Sequence, residues 1–405
     1  MGGYSDLLLS TRGSILVLLW LCNVSLYLSR TNISVAIIYM YPSNENLEGE
    51  LLAAFYVGYC FQTLGGWLAT RFGPKTVLMC AVSAWSGATL LTACFGKNVP
   101  VLFLLRAVVG LAEGCNYPSQ MQLVSVWVRY EERATAWSFM STGESIGTIL
   151  ALLGGPFVVH AAGWPTVFLV SGSLGAVWLA IFGVFGASSP SCHRRISRHE
   201  LAHILASRPP RAPIVRTPWR AFFRSRSFLA IIATHCCFNW SCYFSLSWTS
   251  KFFSSAYSAD YSSLGILSVL PYIVLFGVSA VAGRIADLME SRLGFSATAV
   301  RKIFNSLGML GSAVAFLGLG LVAPGGGGDG HAGGKYAATA LLTLAVGAGG
   351  FAVSAGYWAS FVDISPRHAQ VWHIHILLHR RRWPSPTRAG ARLIQILSAV
   401  SWPYT

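Results

Sequence analysis

Apolar stretches of about twenty residues, each long enough to cross a hydrocarbon core of about 30 Å, recur along most of this chain. They fall near 14–40, 51–69, 76–95, 100–126, 134–159, 164–186, 228–253, 264–286, 300–322 and 336–361. In lipid every backbone N–H and C=O must be satisfied within its own segment, so runs of this kind fold as helices. Of the 405 residues 54% are hydrophobic and only 11% are charged, against roughly a quarter charged in soluble domains. The expected fold class is therefore an all-α membrane protein with about ten transmembrane helices.

A formal net charge of +15 would suit a nucleic-acid binder, but the basic residues stand between the apolar runs and not over a soluble surface. Arg71 and Lys75, then Arg129 and Arg133, then the 187–226 stretch, then Arg284, Arg292, Arg301 and Lys302 occupy the even-numbered connections. The intervening loops carry Glu45, Glu48, Lys97, Asp260 and Asp329. The positive-inside rule then places the N-terminus and the long central loop on the cytoplasmic side, or its equivalent in an organelle. No nucleic-acid partner is expected; the lipid bilayer is. Either a plasma membrane or an organelle membrane fits.

The expected organisation is a six-helix half over residues 1–186, a basic linker over 187–227 and a partial second half over 228–370. The linker is marked by Pro190, Pro209, Pro210, Pro213 and Pro218. A glycine-rich piece from Pro324 to Gly334 reads as a flexible outer loop. The first apolar run is too long and too polar at its centre for a signal peptide.

Nine cysteines lie mostly inside apolar segments, where sulfur behaves as a small hydrophobe. Cys236, Cys237 and Cys242 lack a second ligand pair at zinc spacing, so no metal is expected. A phosphate-binding glycine loop, a His-Glu-x-x-His helix and a serine elbow are all missing from the sequence. An ion gradient is the expected driving force, with no cofactor and no enzymatic activity.

Two charged groups inside the spans carry the functional argument. Arg30 lies in the first span and Arg106 near the start of the fourth. An arginine at a helix centre costs on the order of 2.5 to 3.5 kcal/mol on insertion scales, so it lines a cavity or meets a partner. Two of them point to an anion; the plainer reading locks each to a carboxylate or to carbonyls as scaffold. Glu113 follows Arg106 by about two turns on the same face, about 10 Å along the axis, too far for a direct bond. A carboxylate there can change protonation during a cycle, as proton coupling requires. Glu144, in the fifth span, serves either as a structural partner for an arginine or as a second titrating site. Asn32 and Tyr117 offer neutral hydrogen bonds beside these groups, or glue between helices. His235 either faces the cavity or is a hydrogen-bonded core residue. Gly110 with Gly114, and Gly143 with Gly147, have the spacing of close helix packing.

An internal repeat joins these features. Gly66-Trp-Leu-Ala-Thr-Arg71-Phe-Gly73-Pro-Lys75 follows the second span, and Gly283-Arg284-Ile-Ala-Asp287 follows the eighth. Both resemble the signature loop of the major facilitator superfamily, at equivalent places in two halves. Thr70 stands where that family usually has aspartate, so one gating ion pair is expected to be absent or replaced. Further stretches resemble the anion:cation symporter branch, which includes vesicular glutamate, sialic acid and organellar phosphate transporters. They are Arg30-Thr-Asn32-Ile-Ser-Val-Ala, Arg106 through Glu113-Gly114-Cys-Asn-Tyr117-Pro118, Gly163-Trp-Pro165, Thr217-Pro-Trp-Arg220 and Asp363-Ile-Ser-Pro-Arg367. The resemblance implies a twelve-helix major facilitator fold and a secondary carrier of a small anion, inorganic phosphate or organic, coupled to a proton or sodium ion. It also implies that Arg30 and Arg106 recognise the anion and that Glu113 serves coupling.

Beyond about residue 370 the sequence departs from that pattern. Val371 to Thr405 carries five arginines, no acid and no adequate apolar run. A frame error, a retained intron or an alternative end would produce such a tail and leave the second half short of two helices. The alternative function is then a truncated, non-transporting membrane protein or regulatory partner.

Overall fold

The computed structural model describes residues 10–41, 45–129, 132–193, 195–206, 224–322, 332–357 and 360. The Thr217–Arg220 and Asp363–Arg367 stretches, most of the glycine-rich loop and the 371–405 tail lie outside the described residues.

The first half consists of α1 (Thr11–Met40), α2 (Glu45–Tyr59), α3 (Gln62–Phe72), α4 (Pro74–Phe95), α5 (Val99–Gly114), α6 (Asn116–Trp127), α7 (Arg133–Ala162) and α8 (Trp164–Phe185). A short helix, α9 (Arg198–Ala206), follows in the basic connection. The second half comprises α10 (Arg226–Tyr257), α11 (Tyr261–Ser291), α12 (Ala297–Val322) and α13 (Ala332–Ala355). By length and composition nine helical stretches among the described residues can each cross a membrane, α5 with α6 counting as one. Together α2 and α3, bent by 44° where they meet, pass the same test of length and composition and count as a tenth if the pair is one span.

Two expected spans are thus not single rods. The 100–126 run breaks at Cys115, whose N–H bonds back to the Ala112 carbonyl. Pro118 lies in the first turn of the helix that restarts there, where its missing N–H leaves no hydrogen bond unmade. The 51–69 run breaks at Cys60 and Phe61, and both of its pieces follow the broken partner closely. Gly58 and Gly110 let α2 and α5 approach so nearly that a Cβ on either would lie 1.9 Å from a carbonyl oxygen of the other helix. Gly143 and Gly147 likewise bring α7 close to α1, where an added Cβ would lie 2.7 Å from the Trp20 carbonyl and 2.5 Å from that of Val24. The expected small-residue packing is therefore present in both places.

Tight joints between antiparallel helices rest on glycine. Gly73 has φ of 89° and Gly163 of 80°, a region that side-chain-bearing residues enter only with strain. Pro74 and Pro165 then start the next helices, where a fixed φ favours the first turn.

The basic linker is not wholly irregular. The Glu200 carboxylate of α9 accepts from the backbone N–H of Thr11 at 3.3 Å and of Arg12 at 2.9 Å. It thereby caps the positive end of α1, while Arg12 pairs with Glu132 at 2.6 Å.

The halves meet at the end away from the basic connections. Lys251 donates to Glu48 at 2.8 Å, the Tyr56 and Ser247 hydroxyls stand 3.4 Å apart, and the His160 ring stacks on Tyr261 at 3.8 Å. An apolar cluster that includes Val35, Leu152, Phe253 and Leu264 fills the space between them.

Candidate functional site

Below that contact, α1, α2, α5 and α10 line a narrow, partly open pocket with a cavity volume of about 20 Å³. Arg30 and Arg106 both line it, with Phe55, Tyr56, Leu246 and Ser247 among its walls. The two guanidinium groups that sequence placed on separate spans therefore face one chamber.

Arg30 is 7% exposed and sits in a box of rings: its guanidinium carbon lies 4.9 Å from the Tyr27 centroid, 5.2 Å from Phe55 and 5.0 Å from Tyr59. Such faces attract a desolvated cation. Its Nε donates to Glu113 Oε2 at 2.7 Å, and its terminal nitrogens make no close hydrogen bond among the described residues, lying instead within the ring box. Glu113 thus reaches across to α1, although its spacing had related it to Arg106 on its own face. Periodicity along one helix carries no signal for a bond between two.

Arg106 is 1% exposed, lies 5.8 Å from the Phe168 centroid and reaches Thr92 only at 3.5 Å. No carboxylate pairs with it among the described residues, and its Nε has no partner. A buried cation so weakly held is expensive unless an anion or water completes its shell.

The remaining candidates divide. Tyr117 donates to the Tyr27 hydroxyl at 3.4 Å, and the Glu144 carboxyl faces both of these phenols. Asn32 turns instead to α8 and donates to Ser171 at 2.6 Å, a bond between helices. His235 is buried against Tyr357 and Asn239 in the second half. A layer of amides that the sequence did not signal, Asn23, Asn116 and Gln120, ties α1 to α6 with bonds of 2.9 and 3.3 Å.

In the first signature loop Lys75 donates to the Gly183 and Gly186 carbonyls at 3.1 and 2.7 Å, closing the negative end of α8. Thr70 bonds back to the Gly66 carbonyl and receives Gln122 at 3.0 Å. A neutral hydrogen bond stands there. Arg71 is exposed beside Phe72, and in the second copy Arg284 and Asp287 are exposed, with Gly283 half-buried.

The description Major Facilitator Superfamily matches residues 19–371. The chain belongs to the major facilitator superfamily. It is an integral multi-pass membrane protein of a transporter family, not an enzyme family. It is 33% identical over 357 residues, 87% of this chain and 63% of the relative, to the chloroplastic ascorbate transporter of Arabidopsis thaliana. It is 32% identical over 356 residues, 87% of this chain and 66% of the relative, to the chloroplastic sodium-dependent phosphate transport protein 1 of the same plant. The chain spans less than two thirds of the length of both. Among solved structures, a bacterial homolog of the human lysosomal transporter Spinster superposes with a TM-score of 0.68 at 17% identity, over 96% of this chain and 80% of the other. That likeness shows a shared fold.

Proposed function

We propose that this protein is a secondary active carrier of a small anion, inorganic phosphate or an organic carboxylate, moved by alternating access and coupled to a proton or sodium ion. Arg106 carries the reading: a fully buried guanidinium with no carboxylate partner among the described residues, beside a second arginine lining the same pocket. Arg30 and Arg106 bind the cargo, with the phenols of Tyr27 and Tyr117 close by. Glu113 holds Arg30 in place while the site is empty and takes part in coupling. The half 1–186 rocks against 228–370 about the linker 187–227, with Gly66, Arg71, Gly73, Lys75, Gly283, Arg284 and Asp287 shaping the loops at its basic end. The N-terminus and the linker lie on the cytoplasmic-equivalent side of a plasma or organelle membrane.

That relatives are named for ascorbate and for phosphate supports an anion as cargo and leaves both chemistries to test. Arginine forks accept carboxylate and phosphate alike. The test is uptake of labelled phosphate, ascorbate, glutamate and sialate into proteoliposomes under imposed proton or sodium gradients. Accumulation of at least one, abolished by dissipating the gradient, is expected. A protein that moves none of them under either gradient is not this carrier.

A further inference from the structure

Glu144 is a buried acid to which the carrier reading above assigns no role. It lies on α7, 5% exposed, with Oε2 lacking any hydrogen-bond partner. The charged and titratable groups facing it are Tyr27 and Arg30 of α1, Tyr117 of α6 and, across Arg30, Tyr59 of α2 and Glu113 of α5. Its nearest polar neighbours are thus neutral phenols, whereas Glu113 is already engaged by the Arg30 Nε.

The charge balance around the cavity follows. Arg30 and Arg106 supply two positive charges and Glu113 and Glu144 two negative ones. With both acids ionised the cluster is neutral and offers an entering anion no net attraction in a medium of low dielectric. With one proton added the cluster carries a single positive charge, which a monoanion cancels.

Placing that proton on Glu113 would break its ion pair and leave Arg30 without a counter-charge. On Glu144 it breaks none. A phenol that donates to the carboxylate can rotate its hydroxyl and accept from the carboxylic acid. We propose that Glu144 is the proton-accepting residue that licenses anion entry at the Arg30–Arg106 site. This rests on the anion-carrier reading above. In the step, a proton from one aqueous side bonds to a Glu144 carboxylate oxygen and the anion then binds the arginines. After the halves rock, the anion leaves and the proton departs to water on the other side.

The test compares native protein with Glu144→Gln and Glu144→Asp in proteoliposomes, using labelled phosphate and labelled ascorbate as probes. Two readouts are taken: accumulation driven by a pH gradient, and one-for-one exchange of anion without a gradient. Because Gln leaves position 144 uncharged and holds the cluster at a single positive charge, E144Q should retain exchange to within about threefold and lose gradient-driven accumulation by about tenfold or more, with a flattened pH profile; E144D should restore both accumulation and the pH profile. Retained exchange shows that the variant is folded. Native-like accumulation and pH dependence in E144Q overturn the proposal. So does loss of both readouts in E144Q and E144D alike, which marks a structural group, and so does native transport driven by sodium with no pH dependence. A native protein that carries neither probe nor any other anion of the panel defeats the carrier reading itself, a result distinct from an unchanged E144Q.

Discussion

Lys251 of α10 and Glu48 of α2 form a buried ion pair, 2.8 Å long, that joins the two halves of the molecule at the end away from the basic loops. The Glu48 side chain is 1% exposed and that of Lys251 11%. Removing one partner strands the other charge, at a cost of about 3 to 5 kcal/mol. Glu48→Gln and Lys251→Met should each lower the thermal midpoint in detergent, and the double variant should recover most of the loss. Simple addition of the two losses would show that the pair does not hold the halves together.

Arg30 is fixed by one ion pair and three rings. A lysine keeps the charge but offers no Nε at the right place and no flat face to the box. Arg30→Lys is expected to reduce uptake by about tenfold or more while the protein still folds. Uptake near the native rate would mean that charge alone suffices there.

Gly110 faces the Phe55 carbonyl, and an added Cβ would come within 1.9 Å of it. Gly110→Ala should therefore separate α2 from α5, lower stability by about 1 to 3 kcal/mol and displace Phe55 from Arg30, reducing transport. Gly154→Ala, with nothing within 4 Å of its Cβ, serves as the control and should be neutral or slightly stabilising through helix propensity.

Lys75 closes the end of α8 through two carbonyls. Hydrogen bonds to a charged group contribute about 1.5 to 3 kcal/mol, so Lys75→Met should lower the melting temperature while leaving the concentration dependence of uptake unchanged. A changed KM would place Lys75 in the transport pathway instead.

The crossings were legible in the sequence because hydrocarbon thickness dictates their length and loop charge their order. Arg30, Arg106 and Glu113 were legible because charge inside an apolar run is costly. What the sequence hid was pairing. Glu113 and Arg106 share a face of one helix, yet Glu113 bonds to Arg30 across the bundle, 83 residues away in sequence. The ring box of Tyr27, Phe55 and Tyr59 is composed of residues that look like ordinary apolar filling until helices are docked. Lys251 and Glu48 lie 203 residues apart, so neither announces the other. The breaks at Cys60 and Cys115 escaped because hydropathy averages over a kink, although Pro118 marked one of them.

The central claim is that Arg106 is buried to meet an anion. It is tested most directly by the concentration dependence of anion uptake in native protein and in Arg106→Ala, with folding checked by melting temperature. A folded variant whose uptake falls by about two orders of magnitude, through a raised KM, a lowered rate or both, is the expected result. Equal uptake with and without this guanidinium would contradict it.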